Sequence, residues 1–134
     1  MKCDGILGLS PGDMSLQDGE RRALRGNNTN RFIENLYEQG KIQERVFSFF
    51  LSEYNNYREI PAFTIGGYDI EKFAPNQTLT WNYVTDDTYW TVKLSQVSLG
   101  DRQIPLSTNN AILDTGTSYL AMPENEFANF LAYW

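Results

Sequence analysis

Seven residues, Ile112-Leu113-Asp114-Thr115-Gly116-Thr117-Ser118, combine the residue types that carboxylate chemistry requires. An acid follows an apolar run, and behind it come a hydroxyl, a glycine and two more hydroxyls. The order places the Asp114 carboxylate at the mouth of a tight turn with donors converging on it. Gly116 allows a backbone N–H to approach the carboxylate closely. A carboxylate held this way is fixed in orientation and stays ionisable, the state that acid–base work needs. Taken alone, Asp-Thr-Gly reads first as a β-turn aspartate bonding its own backbone, because tripeptides recur by chance.

Composition narrows the alternatives. The chain has 134 residues, and 41% hydrophobic content with ten glycines places it among globular sequences long enough to bury a core. A net charge of −6 argues against nucleic acid and an anionic membrane as partners, because both need a basic face. Apolar stretches such as Val46–Leu51 are too short to span a bilayer. With one cysteine and no histidine, the chain has no internal disulfide, no zinc cluster, and no Ser-His-Asp or Cys-His machinery. Acid–base chemistry falls to carboxylates, lysines or tyrosines.

The elements that must position Asp114 follow from periodicity. Asp4 to Leu9 reads as a buried strand or turn, and its short, glycine-broken apolar run is not a signal peptide. Ser10 to Arg31 is a long polar loop carrying the glycosylation pattern Asn27-Asn28-Thr29. Asn30 or Thr29 can cap a helix bearing Phe32, Ile33, Leu36 and Tyr37 on one face, with Gly40 as its left-handed stop. From Arg45 the period becomes two. Val46–Ser52, Ala62–Gly67, Leu79–Val84 and Tyr89–Leu94 read as strands, with turns at Asn55–Glu59, Asp86-Asp87 and Gly100-Asp101. This spacing predicts an all-β sheet or barrel. Trp81 and Trp90 read as packing residues. Tyr119–Met122 reads as a short strand, and Pro123 opens a helix with Glu124 and Glu126 in its first turn. A second glycosylation pattern lies at Asn76-Gln77-Thr78. Asp13, Asp18, Glu20, Asp86 and Asp87 lack the spacing of a metal site.

The order of I-L-D-T-G-T-S, D-G-I-L-G-L-S, the segment Phe32–Phe50, F-T-I-G-G-Y-D and Y-W-T-V-K-L closely resembles the pepsin and cathepsin D family of aspartic endopeptidases. The likeness runs from Asp4 to about Phe130. Only the loop from Asp13 to Arg31 is longer and more charged than is usual there. The resemblance implies a mostly β, two-lobed fold. Residues 1–46 would end the N-terminal lobe, 47–84 would supply interlobe sheet strands, and 85–134 would begin the C-terminal lobe. It also implies hydrolysis of peptide or protein substrates at acid pH, with no cofactor and no metal. Asp114 would be the catalytic aspartate of the C-terminal lobe. Thr115 would tie the two active-site loops together, Gly116 would donate its N–H, and Thr117 would hold the carboxylate. Ser118 would lie against bound peptide. Ile112 would line a primed-side pocket with Tyr89 nearby, and Ile6 would sit on the unprimed side. A lysosomal, vacuolar or secreted location follows by the same route.

The chain departs from the family in three ways. It holds one Asp-Thr-Gly where two lobes require two, and the family's upstream flap and the rest of its second lobe have no counterpart. Cys3 stands where an aromatic is usual, and the cysteine pair common before the second Asp-Thr-Gly is missing from Ile104 to Asn110. The expectation is a middle piece of a protein more than twice as long, inactive alone. The alternatives are a catalytically inactive pepsin-like homologue that keeps a peptide cleft, and a retroviral-type homodimer. The latter fits poorly, since only 20 residues follow Asp114.

Overall fold

A computed structural model describes residues 4–12, 31–52 and 60–134 of the protein. The Asn27 pattern, Cys3, the capping residues Thr29 and Asn30, the acids Asp13, Asp18 and Glu20, and the turn at Asn55–Glu59 lie outside the described residues. The secondary structure is six strands, paired antiparallel, and three helices among the described residues. The chain forms two compact units, one through Thr80 and one from Trp81 to Trp134.

In the first unit the predicted amphipathic stretch folds as helix α1, Phe32–Glu38, with Arg31 in extended conformation at its N-cap. Gly40 ends it at φ +65, as its lack of a Cβ permits. The Gly40 N–H donates to the Tyr37 carbonyl and the Lys41 N–H to the Leu36 carbonyl, both at 2.9 Å. This pair of bonds is the Schellman closure. Strands β1 (Phe47–Phe50) and β2 (Ala62–Ile65) pair with Phe49 opposite Phe63, whose rings stack 4.8 Å apart. Gly66 follows at φ +82, where an added Cβ would meet Ile42 Cγ2 at 3.0 Å. Helix α2, Ile70–Phe73, was not expected. Asp69 caps it by accepting from the Lys72 N–H at 3.0 Å, and Phe73 stacks on Phe50.

The second unit carries the Asp-Thr-Gly segment. Strand β3 (Thr91–Lys93) pairs with β6 (Asn110–Ile112), while β4 (Val97–Leu99) and β5 (Arg102–Ile104) form a hairpin between them in sequence. Gly100 turns that hairpin at φ +60, at the first of two loop residues. Helix α3, Glu124–Tyr133, packs against β5. Pro123, the residue expected to open the helix, is its N-cap, so the helix begins one residue later, at Glu124.

Several expectations fail, and the reason is shared. Strand character needs a partner as well as a pattern. Asp4–Leu9 forms no ladder and is exposed to Gly8, with Ile6 at 98%. Leu79–Val84 alternates in sequence but joins no sheet, and Trp81, read as a packing residue, is 74% exposed. Trp90 is half-buried. Tyr119–Met122 is irregular, with Tyr119 and Leu120 at 87% and 88%. The sheets are three separate pairs among the described residues, not one sheet or barrel. Ile104 is the sole apolar side chain buried among them, so the expected core is small.

Candidate active site

The β3–β6 ladder delivers Asp114. Thr91 faces Ile112, Val92 faces Ala111 and Lys93 faces Asn110. The pairing continues past the strand, because the Leu113 N–H donates to the Trp90 carbonyl at 2.9 Å. At the other end the Leu94 N–H donates to the Asn109 carbonyl at 2.8 Å. Asp114 is therefore the first residue beyond an anchored strand.

The chain then reverses. The Thr117 N–H donates to the Asp114 carbonyl at 3.2 Å, with Thr115 and Gly116 at the centre of the turn. The Gly116 N–H donates to Asp114 Oδ1 at 2.9 Å, and the Thr117 hydroxyl donates to Oδ2 at 2.5 Å. Each carboxylate oxygen thus has its own donor. A Cβ on residue 116 would lie 3.1 Å from Oδ1, so glycine is the residue that suits this approach. The Thr117 hydroxyl foremost, then the Gly116 N–H, holds the Asp114 carboxyl below its ordinary range, against a smaller opposing effect of desolvation. The carboxylate is solvent-exposed. Chemically, the turn offers an oriented, ionised carboxylate open to an incoming molecule. Geometrically, it is also a β-turn aspartate bonded to its own backbone.

Tyr89 adjoins Trp90 and so flanks the strand end that carries Asp114. Its own N–H and that of Thr88 donate to Asp86 Oδ1 at 2.9 Å and 2.7 Å, which makes Asp86 a turn residue. Ile112 closes β6 with 55% of its surface exposed, and Ser118 is exposed as well. Ile6 belongs to the first unit. The structure brings Asp114, Gly116 and Thr117 into contact and sets Ile112 and Tyr89 on the neighbouring backbone.

Sequence reasoning read Glu126 only as a helix-dipole acid and gave no part to Ser107 or Thr108. Glu126 is 4% exposed, and its Oε1 accepts from the Ser107 N–H, the Ser107 hydroxyl at 2.7 Å and the Thr108 N–H at 2.9 Å. The Ser107 hydroxyl foremost lowers its pKa; desolvation opposes this, and the two N–H groups add to the lowering. The signal available was the Ser-Thr pair before β6 and an acid on the following helix, which no local pattern connects. Among the described residues, no group of three or more His, Cys, Asp or Glu could hold a metal ion. No helix there is long and apolar enough to cross a membrane.

The eukaryotic aspartyl protease family model matches residues 1–133. The chain is 32% identical over 120 residues to a protein named probable vacuolar protease A from Trichophyton verrucosum, covering 90% of this chain and 27% of that protein. It is 30% identical over 131 residues to pepsin A from Canis lupus familiaris, covering 97% and 30%. It is 28% identical over 132 residues to plasmepsin VIII from Plasmodium berghei, covering 94% and 32%. The chain spans less than a third of the length of each of these relatives.

Proposed function

The chain belongs to the eukaryotic aspartyl protease family, of the pepsin type, and on that premise we propose that Asp114 is one of two catalytic carboxylates in an acid-pH endopeptidase. The observation that carries the reading is the doubly held carboxylate: Gly116 N–H on one oxygen, Thr117 hydroxyl on the other, both exposed at a turn. A second aspartate, outside these 134 residues, would complete the pair. Two like charges at close range cannot both ionise, so the pair shares one proton and titrates as a unit. One carboxylate takes a proton from a water lying between them. The other donates to the scissile carbonyl oxygen as the water adds. Neither metal nor cofactor enters this sequence of steps.

The remaining residues take supporting roles in this reading. Thr115 ties the two active-site loops, and Thr117 and Ser118 lie along bound peptide. Ile112 and Tyr89 offer exposed surface beside the turn to substrate side chains, and Ile6 serves the unprimed side. Residues 1–46 close the N-terminal lobe, 47–84 supply interlobe strands, and 85–134 begin the C-terminal lobe. The substrate is a peptide or protein, and the location is lysosomal, vacuolar or secreted; of these, the name of one relative, a vacuolar protease, supports the vacuole.

The test is peptide hydrolysis at acid pH by the full-length gene product and by the isolated 134-residue chain. The first is expected to cleave and the second is not. Cleavage by the isolated chain that disappears in Asp114→Asn would refute the division of the pair.

A further inference from the structure

Glu126 is the single charged side chain buried among the described residues, and no Lys or Arg among them pairs with it. A buried carboxylate without a cation is held by hydrogen bonds or not at all. Here three donors converge on Oε1: the Ser107 N–H, the Ser107 hydroxyl and the Thr108 N–H. Ser107 and Thr108 lie in the connection between β5 and β6, while Glu126 lies in the first turn of α3. The bonds therefore join the chain just before β6 to the chain just after the Asp114 turn. Residues 107 and 126 become the two ends of a closed loop with Asp114–Thr117 near its middle.

The entering limb is secured independently. Thr108 Oγ1 accepts from the Asn110 N–H at 3.3 Å, and β6 is laddered to β3 through Leu113. The returning limb is different. Past the Thr117 N–H bond, residues 118–122 join no ladder, and Tyr119 and Leu120 are almost wholly exposed. The next fixed point on that limb is α3, and Glu126 ties it to the base of β6. We propose that Glu126 is a positioning residue for Asp114, acting through the Ser107–Thr108 clamp that closes the loop carrying the Asp-Thr-Gly turn. This rests on the catalytic reading of Asp114.

The experiment uses the full-length gene product with the variants Glu126→Ala, Glu126→Gln and Asp114→Asn. Two readouts are taken: kcat and KM per folded molecule, and amide hydrogen exchange. In Glu126→Ala, kcat is expected to fall by about tenfold or more while KM stays within about twofold, as small displacements of a reacting group do. Exchange at Gly116 and Thr117 is expected to quicken, with the amides of the β4–β5 hairpin unchanged. Glu126→Gln keeps an acceptor oxygen and is expected to recover most of both. A folded Glu126→Ala protein with native kcat and native exchange at Gly116 overturns the proposal. So does a uniform loss of protection with kcat per folded molecule unchanged, which would mark a merely stabilising role. Native activity in Asp114→Asn would sink the catalytic reading instead, and the exchange at Gly116 would still decide whether Glu126 holds the turn.

Discussion

The Thr117 hydroxyl lies 2.5 Å from Oδ2 of Asp114, three residues upstream across a single turn. That short, charge-assisted bond keeps one oxygen of the carboxylate fixed while Gly116 fixes the other. Removing it should be visible in the titration of Asp114. In Thr117→Val the Asp114 pKa is expected to rise towards its ordinary 3.8, because the largest cause of the lowering is gone. Thr117→Ser, which keeps the hydroxyl, should stay low. Carboxyl-carbon NMR titration of the 134-residue chain checks this, and an unmoved pKa in Thr117→Val contradicts it.

Glu126 makes stability depend on pH in a defined sense. Its folded-state pKa lies below the ordinary 4.5 that the unfolded chain presents. The stabilisation is therefore fully present above about 4.5 and is lost as pH falls through the lowered folded value. Melting temperatures of the full-length protein between neutral and strongly acid pH should converge with those of Glu126→Gln at the acid end. A constant gap across that range would contradict the assignment.

Gly66 should be intolerant of a side chain. It combines φ +82 with Ile42 Cγ2 only 3.0 Å from where a Cβ would stand. The left-handed backbone alone costs an L-residue roughly 1–2 kcal/mol, and the contact with Ile42 adds to it. Gly66→Ala is expected to lower the denaturation midpoint of the full-length protein. Gly67→Ala, where nothing lies within 4 Å of the added Cβ, should be nearly silent.

Each strand in the described residues belongs to a two-stranded sheet, so strand edges lack a second ladder partner among those residues, although the Thr85 N–H meets the outer edge of β3 at the Thr91 carbonyl. Trp81, Tyr83, Tyr119 and Leu120 add exposed apolar surface. The isolated 134-residue chain is expected to self-associate with rising concentration and to bind a hydrophobic dye. Sedimentation showing a monomer throughout, without dye binding, would contradict this.

The legible parts of the sequence were those settled by local physics. Gly40 stopped α1 and Gly100 turned a hairpin because each position needs a positive φ. The alternation at Phe47–Phe50 and Ala62–Ile65 gave real strands because each found the other within the chain. The Asp114 turn was readable because its donors lie within three residues. What failed depended on distant partners. The alternation at Leu79–Val84 marks two faces but cannot say what pairs with them. Glu126 looked like an ordinary first-turn acid, since its donors stand 18 and 19 residues away. The pairing of β3 with β6 across an inserted hairpin was hidden for the same reason.

The most direct test of the account is acid-pH peptide hydrolysis by the full-length gene product against its Asp114→Asn variant. The substitution keeps the shape of the side chain but removes the charge that Gly116 and Thr117 hold in place. Loss of kcat by about a thousandfold or more, with the protein still folded, is the predicted result, in the range seen when a residue that acts as part of a catalytic unit is removed. Undiminished hydrolysis by folded Asp114→Asn would contradict the assignment of Asp114 as a catalytic carboxylate.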